Sequence, residues 1–294
     1  MTTTAPATAD ASAADHAVRC LEVWGGTQAV DTTLTIPGID AWVFSRPYHG
    51  EEAGGDIHYV SSCFTGRVAR FVVADVSGHG QTVAHLSSVL RKLMRKHINY
   101  LDQTGLARML NTEFAAADQT GKFATAVMLS YFAPTDHLIV CNAGHPRPLW
   151  YHAAERTWRL LMHDVVEQAE APDSVRNLPL GIVEPTNYVQ FAVKLSLGDL
   201  VLIYTDALIE ARRNGDGALL GEEGLLDLAR QCSPTSPQAF GQSLLQALET
   251  YRGGTPADDD QTLLVLHHNA SEATVGTIRG AIRAIGDMLG LSGD

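Results

Sequence analysis

The chain has 294 residues, 45% of them hydrophobic, with 33 acidic against 21 basic side chains and a formal net charge of −12. That is apolar material for one large core or two average ones, and the acidic balance with no basic run argues against nucleic acid as a partner. No stretch approaches the roughly 20 apolar residues of a membrane-crossing helix, and the Thr/Ala-rich start from Met1 to Asp15 lacks the charge and apolar centre of a signal peptide. The four cysteines, Cys20, Cys63, Cys141 and Cys232, stand far apart with no CxxC pair and no zinc spacing. They read as small apolar packing groups in a reducing, cytoplasmic setting with no membrane attachment.

Residues 1–20 are poor in large apolar groups and read as a disordered tail. Leu21 to Ile36, with Trp24 and the pair Gly25-Gly26, leads into the fold. Ile39 to Ser45 reads as a strand, and Pro47 to Gly55 as a loop. Asp56 to Cys63 is a second strand, turning at Gly66 into a third, Val68 to Val76. Two amphipathic helices follow. Val83, Leu86, Val89, Leu90, Leu93 and Met94 share one face of the first, and Leu106, Met109, Leu110 and Phe114 make the stripe of the second.

Strands return at Ala124 to Phe132, His137 to Asn142, Pro148 to His152 and Thr157 to Met162. Residues 163–187, with Pro172, Pro179 and Pro185, read as a long surface loop. Tyr188 to Lys194 and the apolar run Leu200 to Tyr204 are strands, Leu219 to Gln231 and Pro237 to Tyr251 helices, and Thr262 to Leu266 the last strand. His267 and His268, at its end, read as surface. Val275, Ile278, Ile282, Ile285 and Leu289 mark a closing helix. Strands in consecutive runs broken by helical pairs make this an antiparallel α+β layered sandwich rather than an alternating βαβ fold.

Two carboxylates stand out. Asp56 follows Gly54-Gly55, and Asp75 ends the apolar run Phe71 to Ala74 just before the turn Ser77, Gly78, His79, Gly80. A carboxylate at a buried strand end is expensive unless a cation meets it, so each reads as a metal ligand or a catalytic acid. Asp206, after a buried strand, and Asp259, just before one, repeat the design. Four such carboxylates in one pocket would raise one another's pKa, and divalent cations relieve this. All-oxygen ligation favours magnesium, manganese or calcium over zinc. Spacing alone leaves a metal site and four ordinary turn aspartates both open.

Six motifs then occur in order: Gly54-Gly55-Asp56, Asp75-Val76-Ser77-Gly78-His79-Gly80, Asn142-Ala143-Gly144-His145-Pro146, Leu180-Gly181, Tyr204-Thr205-Asp206 and Asp259-Asp260-Gln261-Thr262. Together, over about residues 37–268, they resemble the metal-dependent protein phosphatases (PPM, type-2C-like), in the bacterial SpoIIE-type branch. The resemblance implies a four-layer αββα sandwich, with two central antiparallel β-sheets flanked by helical pairs, across a domain of residues 21–269. A C-terminal helix in residues 270–294 would pack on it.

It also implies two Mn²⁺ or Mg²⁺ ions and hydrolysis of phosphoserine or phosphothreonine by a metal-activated water. Carried over by position, Asp75 would bridge both ions, the Val76 carbonyl would ligate one of them, Asp56 would hold the second, and Asp206 and Asp259 the first. Asp259 is chosen as the first residue of its motif, with Asp258 and Asp260 as neighbours a slip of one would select. Ala207 stands where Gly is usual after Asp206. No arginine matches the phosphate-binding arginine of the eukaryotic relatives, Arg46 being the nearest candidate. His79 and His145 are the options for a general acid, although Asn142 to Pro146 also reads as a structural turn.

The branch's usual substrate is a small phosphorylated anti-sigma-factor antagonist of the STAS type. Regulation would come from a partner, from residues 163–187 or from homodimerisation through the helical pair. Two alternatives stand beside this expectation: a catalytically silent phosphatase-fold scaffold in a partner-switching circuit, and a phosphatase of small phosphomonoesters.

Overall fold

The computed structural model describes residues 16–17, 23–48, 51, 53–62, 67–78, 81–97, 100, 102–118, 120–162 and 176–269. Among these the chain runs β1 (His16–Ala17), β2 (Val23–Gly26), β3 (Val30–Ile36), β4 (Ile39–Arg46), β5 (Asp56–Ser62), β6 (Val68–Val76), α1 (Gln81–Lys96), α2 (Gln103–Ala117), β7 (Ala124–Phe132), β8 (His137–Ala143), β9 (Leu149–His152), β10 (Thr157–Leu160), β11 (Gln190–Lys194), β12 (Leu200–Tyr204), α3 (Gly221–Gln231), α4 (Pro237–Arg252) and β13 (Gln261–His268). One sheet has the order β1-β3-β4-β13-β12-β9-β10 and the other β11-β8-β7-β6-β5-β2. All pairings are antiparallel except the two-residue contact of β1 with β3.

Three apolar layers hold this together. Val43, Phe71, Val73, Leu129, Val201 and Leu264 meet between the two sheets. Ile57, Val72 and Met128 face Leu86, Leu90, Leu110 and Phe114 of α1 and α2 on one outer side. Trp42, Leu202 and Val265 face Leu225, Phe240 and Leu244 of α3 and α4 on the other. The fold is thus an αββα sandwich. The helices sit where apolar stripes meet apolar strand faces, and their ends are fixed locally. Asp102 caps α2 through the Thr104 and Gly105 amides, and Ser236 caps α4 with Pro237 in its first turn. On α4, Gly241 lies so close to Trp42 that a Cβ there would overlap the indole.

The strands and helices from Ile39 to Arg252 fall close to their expected places, and three expectations change. Residues 23–36 form β2 and β3, one in each sheet, rather than a lead-in. Of the expected surface loop 163–187, residues 163–175 lie outside the described residues, but Leu180 is fully buried and exchanges two backbone hydrogen bonds with Ala124. His268 is 2% exposed, with Nε2 3.0 Å from Asp136 Oδ1; its neighbour on the other face, His267, is half-buried. The expected tail 1–20, apart from His16–Ala17, and the expected helix in 270–294 lie outside the described residues, as do Cys20 and Cys63. Cys141 and Cys232 are free thiols. No helix among the described residues is long and apolar enough to cross a membrane.

Candidate metal centre

Asp56 opens β5 and Asp75 closes β6, and the two are direct cross-strand partners. Opposite residues of an antiparallel pair project to the same face with Cβ atoms about 5 Å apart, so the pairing alone sets two carboxylates side by side. The second sheet brings two more. Asp206 starts a short 3-10 turn directly after β12, and Asp259 precedes β13, the neighbour of β12.

Hydrogen bonds tie the halves together. Thr205 Oγ1 donates to Asp56 Oδ2 at 2.9 Å and accepts from the Thr262 amide at 3.0 Å. The Ser45 and Thr262 hydroxyls are 2.9 Å apart. Asp56 is therefore held in place from the opposite sheet.

Charge is left uncompensated. Burial, and then the Asp75 charge, push Asp56 well above the usual carboxylate range, against the pull of hydrogen bonds from Thr262 and Thr205. Burial pushes Asp75 up to about 7, helped by Asp206, Asp259, Asp260 and Glu210 in that order. Asp206 rises to about 6 through burial, Glu210 and Asp259. Glu210, four residues beyond Asp206, was not singled out in the sequence. The signal available was its i,i+4 spacing, which matters once the turn after β12 folds the chain back; the Glu210 amide bonds the Asp206 carbonyl at 2.8 Å.

The three consecutive aspartates before β13 divide their work. Asp260 accepts from the Tyr48 amide at 2.6 Å and the Gly55 amide at 2.5 Å, and a Cβ on Gly54 would overlap its carboxylate. Asp260 thereby fixes the turn that delivers Asp56. The charge of Asp258 acts on Arg252. Asp259 accepts from the Asp260 amide at 2.8 Å and bears on both Asp75 and Asp206.

Arg252, 5% exposed at the end of α4, donates to the Ala207 carbonyl at 2.8 Å. With the Gln261 amide turned to present its oxygen, that oxygen accepts from both guanidinium Nη atoms at 2.9 and 3.2 Å. Arg252 was also missed in the sequence; it braces the turns on either side of the acidic cluster. Arg46 ends β4 beside Gln261, exposed, with its guanidinium 5.1 Å from the Phe44 ring centroid.

As they stand, no three His, Cys, Asp or Glu side chains among the described residues are placed to hold one metal ion. The donor set nevertheless suits a hard divalent cation: it is all oxygen, anionic and short of positive charge. A cradle exists as well. A Cβ on Gly55 would lie 3.1 Å from the Val76 carbonyl oxygen and 3.3 Å from Asp75 Oδ1, so both oxygens border the space left by the missing side chain. A cavity of about 40 Å³ lies among Gly54, Gly55, Gly78, Val83, Ala84, Asp259 and Asp260, room for a few waters; of the four aspartates only Asp259 lines it.

Of the candidate acids, His79 lies outside the described residues. His145 is 5% exposed, its Nδ1 is 2.9 Å from Thr125 Oγ1, and burial pushes its ring down to about 3. Asn142 clamps the same turn, accepting from the His145 amide at 2.7 Å and donating to its carbonyl at 2.9 Å. This is the environment of a neutral structural histidine.

An αββα sandwich with acidic residues gathered where its two sheets meet is the architecture of the type-2C protein phosphatases. A family profile described as "Stage II sporulation protein E (SpoIIE)" matches residues 65–269, and the chain belongs to this family, a branch of the PPM phosphatases. Among solved structures it is similar to the RsbU and RsbW domains of Rv1364c from Mycobacterium tuberculosis, at 25% identity and a TM-score of 0.66, over 90% of this chain and 71% of that one. It is also similar in fold to the SiaA-PP2C domain of Pseudomonas aeruginosa, at 16% identity and a TM-score of 0.64, over 77% of this chain and 85% of that one. RsbX, solved in complex with magnesium, matches at 16% identity and a TM-score of 0.56, over 81% of this chain and 99% of that one.

Proposed function

We propose that this chain is a serine/threonine phosphoprotein phosphatase dependent on two Mn²⁺ or Mg²⁺ ions, with residues 21–269 as its catalytic domain. The observation that carries this is the meeting of Asp56 and Asp75 from one sheet with Asp206 and Asp259 from the other, with Asp75 pushed up to about 7 by burial and then by the charges of Asp206 and Asp259. Asp75 would bridge the ions beside the Val76 carbonyl, Asp56 would serve one, and Asp206 and Asp259 the other. When bound, the ions supply Lewis acidity at the phosphoryl oxygens and an activated water for attack at phosphorus. The protein's own part is positional: the Thr205–Thr262–Ser45 network holds Asp56, Asp260 holds the glycine turn, and Arg252 holds the Asp206 turn. The neighbour solved with magnesium supports the choice of ion.

The substrate we favour is a small phosphorylated regulator of the anti-sigma-factor antagonist (STAS) type, in the cytoplasm. A similar chain that joins RsbU and RsbW domains supports a protein partner. The test is hydrolysis of p-nitrophenyl phosphate and of a phosphoserine protein by wild type and Asp75→Ala, with Mn²⁺ and with EDTA. Turnover that needs metal and is lost in Asp75→Ala is expected. Turnover insensitive to EDTA, or surviving in Asp75→Ala, refutes the dimetal assignment; no turnover with Mn²⁺ present favours a silent scaffold.

A further inference from the structure

The loop after Leu180 is built with unusual care for a surface segment. Asn111, 1% exposed on α2, accepts from the Gly181 amide at 2.8 Å and donates to the Val183 carbonyl and to Glu184, each at 2.9 Å. Thr112 donates to Glu184 at 2.7 Å, and Thr186 to the Val183 carbonyl at 2.6 Å. What this fixed loop presents is apolar: Ile182 is 46% and Val183 48% exposed. Scattered surface aliphatics are ordinary, but here the loop that carries them is fastened to α2 by four hydrogen bonds and closed on itself by a fifth.

The loop is linked through Ala124 and Phe123 to the turn that follows Asp75. Leu180 pairs with Ala124, so the chain before Ala124 runs alongside it. There Phe123, 37% exposed, is tied to Ser77, two residues beyond Asp75, by bonds of 2.9 and 3.1 Å. Lys122 lays its ammonium against Gly78, whose φ of 95° and missing Cβ leave room for it. A cation at the turn beside Asp75, followed by a fixed apolar ledge, matches a phosphorylated peptide segment read from its phosphate outward.

We propose that Lys122, Phe123, Ile182 and Val183 form a docking ledge for the phosphoprotein substrate, selecting an aliphatic side chain next to the phosphoserine. This rests on the phosphatase reading of the centre. The probes are two fluorescent phosphoserine peptides of equal length and charge, one with leucine and one with serine flanking the phosphoserine, together with p-nitrophenyl phosphate. The proteins are full-length wild type and the double variant Ile182→Ser/Val183→Ser with Mn²⁺, their folding checked by thermal denaturation.

Wild type is expected to favour the leucine peptide about tenfold in kcat/KM, the value of one or two partly buried aliphatic contacts. The double variant should lose that preference and keep its rate on p-nitrophenyl phosphate. No preference in wild type, or equal loss on all three substrates, overturns the ledge. So does a variant that turns a dimer into monomers while the peptide preference persists, since the face would then be an interface between copies. Anisotropy of the same peptides separates the two ideas: tighter leucine-peptide binding lost in the variant, with no turnover by wild type, upholds the ledge and refutes the phosphatase, and equal binding refutes the ledge.

Discussion

Replacing Asp75 by Asn should stabilise the metal-free protein at alkaline pH while removing its response to metal. The carboxyl is raised from 3.8 to about 7, a shift of about three units, or about 4 kcal/mol at 1.4 kcal/mol per unit. Asp75 is only partly enclosed, so about half of that, about 2 kcal/mol, is a fair allowance for screening. The sign follows from proton linkage. Between the unfolded pKa and about 7 the folded state holds a proton that the unfolded chain has lost, so this stability is complete at low pH and disappears as pH rises through about 7.

Metal-free wild type should therefore lose melting temperature between pH 5 and pH 8, and Asp75→Asn should lose less of it. At about 2–4 °C per kcal/mol for a domain of this size, the variant should melt about 4–8 °C above wild type at pH 8 in EDTA and only about a third of that above it at pH 5, because the loss begins at the unfolded pKa. Saturating Mn²⁺ should reverse the order, because a ligand at a hundredfold its Kd adds about 2.7 kcal/mol to the protein that binds it. Thermal denaturation with EDTA and with Mn²⁺ at both pH values reads all four cases. An Asp75→Asn protein that melts below wild type at pH 8 in EDTA, or that gains as much from Mn²⁺, refutes the account of the cluster.

The neighbouring aspartates should separate by the same assay joined to calorimetric titration with Mn²⁺. Asp260→Ala removes the acceptor of the Tyr48 and Gly55 amides and should cost about 1–3 kcal/mol without metal, most of it at the part-buried Gly55 amide, whereas Asp259→Ala should keep its metal-free stability and bind Mn²⁺ at least about tenfold more weakly; the opposite pattern moves the ligand to Asp260. His145→Ala should lower stability by about 2 kcal/mol through the lost contact with Thr125 and leave the basic limb of the kcat–pH profile in place. Loss of that limb at unchanged melting temperature would make His145 the general acid after all.

The sheet strands were legible because each is a short run of apolar residues bounded by turn residues, as in Val68–Val76 and Leu200–Tyr204, whose limits were expected as found. β2 and β3 were not, because Gly25, Gly26 and the threonines of β3 carry little apolar signal, and pairing with β5 and β4 makes them strands. His268 looked like surface because its partner, Asp136, is 132 residues away in sequence. Leu180 is a lone apolar residue between Pro179 and Gly181, and only its bonds to Ala124 show it to be core. The four aspartates proposed as ligands come from motif order, and the division of labour from Asp258 to Asp260 needed the backbone amides that Asp260 accepts.

The site's dependence on both sheets explains which residues around it are buried. Neither sheet alone supplies more than two of the four carboxylates, so their spacing is set by how the sheets are joined at this edge. The joining group is polar and enclosed: Asp56 with Thr205 is a buried contact between the sheets, and Thr262 with Ser45 and Arg252 with the Ala207 carbonyl are buried contacts that hold Thr205 and its turn within the second sheet's half. Buried polar pairs of this kind stabilise little compared with apolar packing, but an unpaired member is costly, so the Asp56–Thr205 pair punishes any slip of one sheet over the other. A cation at Asp75 would add its own tie across the same seam, so that ion binding and the register of the two sheets become one equilibrium, and any partner that shifts one sheet would be felt as a change in metal affinity.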